Sequence, residues 1–371
     1  MLPGGARSNV LLMHLLVNTG GGDAPGLNAV IRAITLSCVR SGFKVTGIRR
    51  GYAGLLGDEP DGLVPLTRDL VRGITDRGGT ILGTVNKGSP FEYPRRQGGK
   101  LVTEDRSDEL AQRYRELGAD GLIAIGGDGS LRIASLLMDK GVSVIGVPKT
   151  IDNDLASTDE TFGFDSAMSF ATEAVVRLQS SAEAHQRVMV VEVMGRYAGW
   201  IALYAGLAGA AHTILLPEID FDIERVCASI RHRFETGRPF AVVVASEGAR
   251  PKGGNYTIKT QEAGKEMTLG GVGEGVAKLI AERTGYETRS LVLGHLQRGG
   301  APTPADRVLA LRYGCAAVRL AAEGRWGEMV SWQPPHMRSV PIREAIAERK
   351  SVPLDSDALQ SARDLGICLG D

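Results

Sequence analysis

Two apolar runs that each break off into an acidic turn constrain this chain more than any other feature. Gly121-Leu122-Ile123-Ala124-Ile125 runs directly into Gly126-Gly127-Asp128-Gly129-Ser130, and Val142 to Lys149 runs directly into Thr150-Ile151-Asp152-Asn153-Asp154. Uninterrupted apolar runs of this kind read as strands buried on both faces, as in parallel sheets. The segment between them, Leu131 to Lys140, reads as the crossover helix. Neighbouring parallel strands deliver their carboxyl ends to one edge of the sheet, where such folds bind ligands. The pattern therefore predicts two carboxylates and several side-chain-free backbone amides in one crevice. Phosphoryl transfer asks for that set: room for phosphates, an acid to hold a metal ion, and a second acid beside the attacking hydroxyl.

The same alternation of strand-like and helix-like runs continues along the chain and predicts an α/β protein. Val10–Val17 is the expected first strand; interrupted by His14, it is too short to span a bilayer and is not followed by a cleavage site. Met1–Ser8 is expected to be a loose tail. Helices are predicted at Leu27–Arg40, Leu110–Leu117, Phe164–Ser181, Tyr197–Leu207, Phe221–Glu235 and Gly273–Thr284, and strands at Val45–Ile48, Arg187–Val193, Thr213–Leu216, Phe240–Ala245 and Arg289–Leu293. Arg250–Gly271, rich in Gly, Lys and Thr, reads as a surface excursion. A chain of 371 residues divides naturally into two domains.

Lys plus Arg (43) balances Asp plus Glu (43), so no global field favours nucleic acid or an anionic membrane. The four cysteines lie far apart, with no CxxC and no paired spacing with histidine, which argues against a zinc site or a disulfide framework and suits a reducing cytoplasm. The 49 glycines cluster after apolar runs, where they allow backbone to approach a ligand.

Gly20-Gly21-Gly22-Asp23-Ala24-Pro25-Gly26 joins the first strand to a helix and suits a phosphate, although a tight turn alone would look the same. It is neither GxGxxG nor a P-loop. Asp128, Asp152 and Asp154 would each pass singly as helix caps. Together at neighbouring strand ends they favour a metal site at Asp128 and a proton acceptor at Asp152, with the Thr150 hydroxyl beside it. His185, Arg187, Arg289, His295 and Arg298 lie at or near strand ends and would suit a phosphorylated small molecule. Glu247, after an apolar strand, would accept from sugar hydroxyls. The loop Gly270–Gly275 follows no strand and reads as loop structure.

These residues resemble the phosphofructokinase family along nearly the whole chain. The likeness rests on TGGGDAPGLNAVIR (Thr19–Arg32), IGGDGS (Ile125–Ser130), PKTIDND (Pro148–Asp154), HQRVMVVEVMGRYAGW (His185–Trp200), ASEGA (Ala245–Ala249) and LGHLQRGGAPTPADR (Leu293–Arg307). It implies two Rossmann-like three-layer α/β/α domains with mostly parallel sheets and the active site in the cleft between them. The donor domain would hold 1–163 plus about 299–349, and the fructose 6-phosphate domain 164–298 plus about 350–371. The implied reaction is glycolytic transfer of a phosphoryl group to the 1-hydroxyl of fructose 6-phosphate. Asp152 would be the base, with Thr150 and Arg196 beside it, and Asp128 the Mg²⁺ acid. Gly21, Gly22, Lys87, Gly127, Gly129 and Ser130 would hold the donor. Arg187, Met194, Gly195, Arg196, Glu247, Arg289, His295 and Arg298 would hold the sugar phosphate, Arg187 and Arg289 reaching a neighbouring subunit of a homodimer or homotetramer.

The resemblance leaves the donor to two residues. ATP users usually carry glycine where this chain has Gly129, and pyrophosphate users a bulkier acid. Lys149 points the other way, because many pyrophosphate enzymes have lysine there. A fixed clash discriminates more strongly than one added attraction, and a lysine can swing aside, so ATP is expected. Leu36 and Gln179 replace two arginines of the family's nucleotide-responsive effector site, whereas Arg32 is kept. A catalytically silent sugar-phosphate sensor is the rival of another class; a lipid or NAD kinase sharing a GGDG turn leaves the downstream His and Arg motifs unexplained.

Overall fold

The computed structural model describes residues 13–86, 88–97, 100–254, 258–260 and 268–371. The first part of the chain forms β1 (His14–Thr19), α1 (Leu27–Arg40), β2 (Lys44–Ile48), β3 (Leu63–Pro65), β4 (Tyr93–Gln97), β5 (Lys100–Glu104) and α2 (Ser107–Glu116). Next come β6 (Gly121–Gly126), α3 (Asp128–Met138), β7 (Val144–Pro148), α4 (Phe164–His185), β8 (Val188–Val193) and α5 (Trp200–Ala208). They are followed by β9 (Thr213–Leu215), α6 (Ile223–Glu235), β10 (Ala241–Ser246), β11 (Ile258–Thr260), β12 (Thr268–Leu269), α7 (Val272–Thr284) and β13 (Thr288–Val292). A 3₁₀ turn over Gly294–Arg298, α8 (Pro304–Ala322), β14 (Glu328–Gln333), β15 (His336–Pro341), α9 (Ile342–Ala345) and α10 (Asp357–Asp364) complete it. The expected tail Met1–Ser8, the first residues of the expected Val10–Val17 strand and residues 255–257 and 261–267 of the 250–271 excursion lie outside the described residues.

The chain divides into two compact units. The first comprises Met1–Lys149, Leu155–Phe162 and Arg307–Glu348; the second comprises Thr150–Asp154, Gly163–Asp306 and Arg349–Asp371. The division differs from the sequence expectation at two short segments, and hydrogen bonds explain both. Residues 150–154 go with the second unit, where Lys350 N–H donates to Asp154 O at 3.0 Å. Residues 299–306 go there too, because the Asp306 carboxylate accepts from Gly163 N–H and Ser166 N–H at 2.8 Å each.

The first unit is built on a seven-stranded sheet in the order β15-β14-β7-β6-β1-β2-β3. Its central pairs are parallel, and only β2–β3 and β14–β15 are antiparallel. Strand periodicity splits the side chains between two cores. Leu15, Val17, Ile123, Ile125, Ile145 and Val147 join α1 and α8 residues such as Ile31 and Tyr313 on one face. Leu16, Leu122, Ala124 and Val144 join Leu110, Leu131 and Ile342 on the other. Apolar residues therefore fill β6, β7 and the middle of β1, where only the buried polar His14, Asn18 and Thr19 depart from the pattern, which is why these strands read as apolar runs.

The second unit has a four-stranded sheet, β13-β8-β10-β9, parallel throughout. Val188 and Val190 of β8 and Ala241, Val243 and Ala245 of β10 share a core with α6 and α7. The intervening residues Val191, Val242 and Val244 are equally buried on the face where α4 and α5 pack.

Candidate active site

In the first unit β1 leads through α1 to β2 on one side, while β6 leads through α3 to β7 on the other. Because α1 and α3 cover opposite faces, the junction of β1 and β6 is a topological switch point, where open α/β sheets hold ligands. Both strands end there in glycine turns. Thr19 is in register with Ile125, and Gly20 N–H donates to Ile125 O at 2.9 Å. The turns are packed so closely that a Cβ at Gly126 would lie 2.2 Å from Ser130 Cβ, so no other residue fits. Gly129 differs: it is exposed, and a Cβ there would meet nothing within 4 Å. The fold itself does not demand glycine at 129.

Lys149, at the end of β7, is buried at 3 % exposure, and its Nζ donates to Gly22 O. Its N–H donates to Gly126 O at 3.0 Å. The expectation that this lysine swings aside is corrected: burial and the Gly22 carbonyl hold its amine beneath the glycine turn. Thr84 Oγ1 donates to Gly21 O at 2.6 Å, and Gly21 N–H donates to Val85 O at 3.2 Å. Thr84–Val85 therefore brackets the turn; Lys87 lies outside the described residues. Asp128 opens α3, where the helix dipole favours a carboxylate, and stands 3.5 Å from Arg132. Among the described residues no group of three or more His, Cys, Asp or Glu forms a metal cage. Magnesium that keeps its waters needs one or two carboxylates and substrate phosphates, and Asp128 beside the glycine turns supplies that hard-oxygen chemistry.

In the second unit β8, β10 and β13 end side by side. Ser246 is in register with Val193, and Val292 with Glu192. Met194–Arg196, Glu247 and the 3₁₀ turn carrying His295 and Arg298 thus leave one sheet edge. Gln297, buried, ties two of these segments: its Oε1 accepts from Met194 N–H at 3.4 Å, and its Nε2 donates to Gly294 O at 3.1 Å. Gly195 has φ 127°, and a Cβ there would lie 2.7 Å from both Ala198 O and Ser246 Oγ. Only glycine makes this bend.

Asp152 lies against this edge, with its N–H donating to Thr150 Oγ1 at 3.1 Å. Its Oδ1 is enclosed and accepts no hydrogen bond among the described residues. Burial pushes its carboxyl up to about 7; the charges of Asp154 and Glu247 add to this, and Arg298 and Arg196 oppose it. Burial also raises Glu247, against the pull of Arg196. A carboxyl that ionises near neutrality, at the point where two guanidiniums converge, is suited to accept a proton.

Helix starts in this unit are already engaged. Gly199 N–H, at the start of α5, donates to Glu218 at 3.0 Å. Gly271 and Gly273 N–H groups, at the start of α7, donate to Glu192 at 3.0 and 2.8 Å. With Asp306 at the start of α4, three glycine-headed helices are capped by carboxylates distant in sequence. At these three helix starts carboxylates stand where an anion would otherwise bind. The same capping disposes of the Gly270–Gly275 loop as a phosphate site. That loop does follow a strand, the short β12, contrary to expectation, but Glu192 occupies its amides.

The basic residues do not form one group. Arg187 precedes β8 and so lies at the opposite end of the strand from Met194, about 20 Å away at about 3.3 Å per residue. Arg289, near the start of β13, is in register with Met189. Both face Glu287, at 3.6 and 3.0 Å. His185 ends α4 and is exposed, as is His295. The grouping expected of these five residues is corrected to His295 and Arg298 alone, since strand polarity separates the others. Gln179 donates to Gly209 O and Ala210 O at 3.0 and 2.8 Å, a structural use of that position. Glu192, Gln297, Glu218 and Lys350 were not marked by the sequence; each acts through contacts distant in the chain, which no local pattern signals.

Comparison with known proteins bears on the same residues. The family model described as "Phosphofructokinase" matches residues 14–321. A Chloroflexus aurantiacus protein named ATP-dependent 6-phosphofructokinase is 49% identical over 355 residues, 96% of this chain and 97% of that protein. An Amycolatopsis methanolica protein named pyrophosphate–fructose 6-phosphate 1-phosphotransferase is 49% identical over 346 residues, 92% of this chain and 96% of that one. The solved phosphofructokinase of Pichia pastoris superposes with a TM-score of 0.77 at 30% identity; the match covers 96% of this chain and spans 37% of that longer one. The pyrophosphate-dependent phosphofructokinase of Marinobacter aquaeolei shares the fold, with a TM-score of 0.78. A match of this length, on top of glycine turns at a switch point and a near-neutral carboxyl, leaves no other assignment: the chain belongs to the phosphofructokinase family.

Proposed function

We propose that this chain transfers the terminal phosphoryl group of Mg-ATP to the 1-hydroxyl of fructose 6-phosphate, giving fructose 1,6-bisphosphate and ADP, as a cytoplasmic glycolytic enzyme. The observation that carries the reading is Asp152, whose enclosed Oδ1 and elevated carboxyl pKa suit it to take the hydroxyl proton. As that proton moves to Asp152, the sugar oxygen bonds to phosphorus and the bond to the ADP oxygen breaks. Arg196, beside Asp152, stabilises charge on the transferring group, and Thr150 orients it. Gly21, Gly22, Gly127, Gly129 and Ser130 receive the donor phosphates, with Lys87 adding charge. Asp128 would hold Mg²⁺, which when bound neutralises the phosphate oxygens. Met194, Gly195, Glu247, His295 and Arg298 bind the sugar phosphate. Arg187 and Arg289, which face away from that edge, serve a neighbouring copy in a homodimer or homotetramer. Among the described residues no helix is long and apolar enough to cross a membrane.

A second donor has one specific observation in its favour. Lys149 places a buried amine beneath Gly21 and Gly22, a charge suited to pyrophosphate, and the Amycolatopsis methanolica relative is named for that donor. Gly129 outweighs it, because the open space at that position admits the rest of a nucleotide. Initial rates with ATP and with pyrophosphate, each with fructose 6-phosphate and Mg²⁺, decide the matter. ATP is expected to give the higher kcat/KM by at least about tenfold, or about 1.4 kcal/mol; a preference for pyrophosphate would reverse the donor assignment.

A further inference from the structure

Asn153 sits between Asp152 and Asp154 with φ 51°, in the left-handed region. That conformation costs a non-glycine residue roughly 1–2 kcal/mol, least for asparagine, and must be held by its surroundings. Asn153 is 5% exposed, and its Oδ1 accepts from Lys350 Nζ at 2.9 Å. The same residue holds the chain on either side: Lys350 N–H donates to Asp154 O at 3.0 Å, and Lys350 C=O accepts from Trp200 Nε1 at 3.2 Å. Its ammonium lies 5.6 Å from the Trp200 ring centre. Next to it, Arg349 stacks 4.1 Å over the Tyr197 ring, against which Arg196 also lies at 5.6 Å. Val352 N–H donates to Glu218 at 2.8 Å, the carboxylate that caps α5. Residues 349–352 thus form a strap across the 150–154 turn and the 196–200 turn, both within the second unit.

We infer that Lys350 is a positioning residue: its ammonium locks the left-handed Asn153 kink and thereby sets the direction in which Asp152 faces Arg196, Arg298 and Glu247. A hydrogen bond from an ionised donor is roughly twice as strong as a neutral one, and here it acts on a conformation that is otherwise unfavourable. The inference rests on Asp152 being the proton acceptor, so its test carries one readout that does not depend on activity.

The test compares the full chain with Lys350→Met, Lys350→Arg, Asn153→Gly and the Lys350→Met/Asn153→Gly double variant. Asn153→Gly keeps the left-handed backbone accessible while removing the tether. Lys350→Met is expected to lower kcat about 10–100-fold while the KM for fructose 6-phosphate changes less than about threefold, the signature of a misplaced reacting group. Lys350→Arg should recover most of the loss. The double variant should be no worse than the poorer single variant, since both single changes break the same Asn153–Lys350 hydrogen bond. Hydrogen exchange should quicken at 150–155 and 196–200 in Lys350→Met and stay unchanged in the β8 and β10 strands. The inference is overturned by a kcat within about twofold of the parent, by additive losses, or by exchange that quickens uniformly. Should Lys350→Met fail to fold, Asn153→Gly decides by the same kcat and exchange criteria. If the parent itself turns over fructose 6-phosphate with neither donor, the proposed reaction fails, and the exchange pattern still decides the strap.

Discussion

Replacing Asp152 by asparagine should make the protein more stable and nearly inactive. The folded carboxyl ionises at about 7 against an ordinary 3.8. Below the ordinary value the group is protonated in both states and has no effect on stability. As pH rises from about 4 to about 7 the unfolded chain gives up the proton before the folded one does, so stability falls, and above about 7 the whole cost is present. At about 1.4 kcal/mol per pH unit the interval sets a ceiling of about 4 kcal/mol. That ceiling already includes the pull of Arg196 and Arg298; relaxation around the buried group reduces it to a net gain of about 1–2 kcal/mol, or about 2–4 °C in Tm. Thermal unfolding of parent and Asp152→Asn at pH 5, 6, 7 and 8 reads this directly, the gap widening towards pH 8. The kcat should fall about 10²–10⁴-fold, as expected for losing a general base. An asparagine variant less stable than the parent at pH 8, or a gap that does not grow with pH, would refute the electrostatic account. Wild-type turnover would refute the base assignment.

Gly129→Asp should leave Tm within about 1 °C, since an added Cβ there meets nothing. It should raise the KM for ATP at least about tenfold and that for pyrophosphate much less; equal effects on the two donors would show that steric exclusion is not what position 129 does. Gly195→Ala, at φ 127° with two oxygens 2.7 Å from the new Cβ, should cost about 1–3 kcal/mol in urea unfolding and weaken fructose 6-phosphate binding in calorimetry.

What could be read from the sequence follows a physical line. β6, β7 and the central residues of β1, β8 and β10 are buried on both faces, so these stretches are apolar and the runs announce themselves; His14, Asn18, Thr19, Glu192 and Ser246 are buried polar exceptions in them. Helix α1 fills the Leu27–Arg40 span expected of it. Helix α3 begins at Asp128 rather than at Leu131, because polar residues that read as a turn are also good first-turn residues. Strands β14 and β15, with sequences EMVSWQ and HMRSVP, are the last two on one side of the sheet, β15 at its edge, and carry no clear alternation. In the site, Asp152, Arg196, Glu247 and Arg298 were named from the sequence, and they fall within one unit. The residues that hold them could not be named. Lys350 meets Asn153 across 197 positions, and neither residue looks unusual in its own neighbourhood. The expected strands Arg187–Val193 and Arg289–Leu293 already began at these two arginines; the grouping expected of them overlooked that strand starts lie at the sheet edge opposite the site.

The chain passes from one unit to the other after Lys149, Asp154, Phe162, Asp306 and Glu348. This ordering has a consequence for synthesis on the ribosome. The core against α1 takes Leu309, Ala310, Tyr313 and Ala317 from α8, so the N-terminal 149 residues emerge without the helix that fills it. The second unit in turn waits for Leu359, Ala362 and Leu369 near the C-terminus. At roughly 5–20 residues per second, the nascent chain spends on the order of ten seconds with long apolar strands made and their partners not yet translated. Exposed apolar strands of this kind are what chaperones bind, and a stop codon before Glu348 would leave both units incomplete.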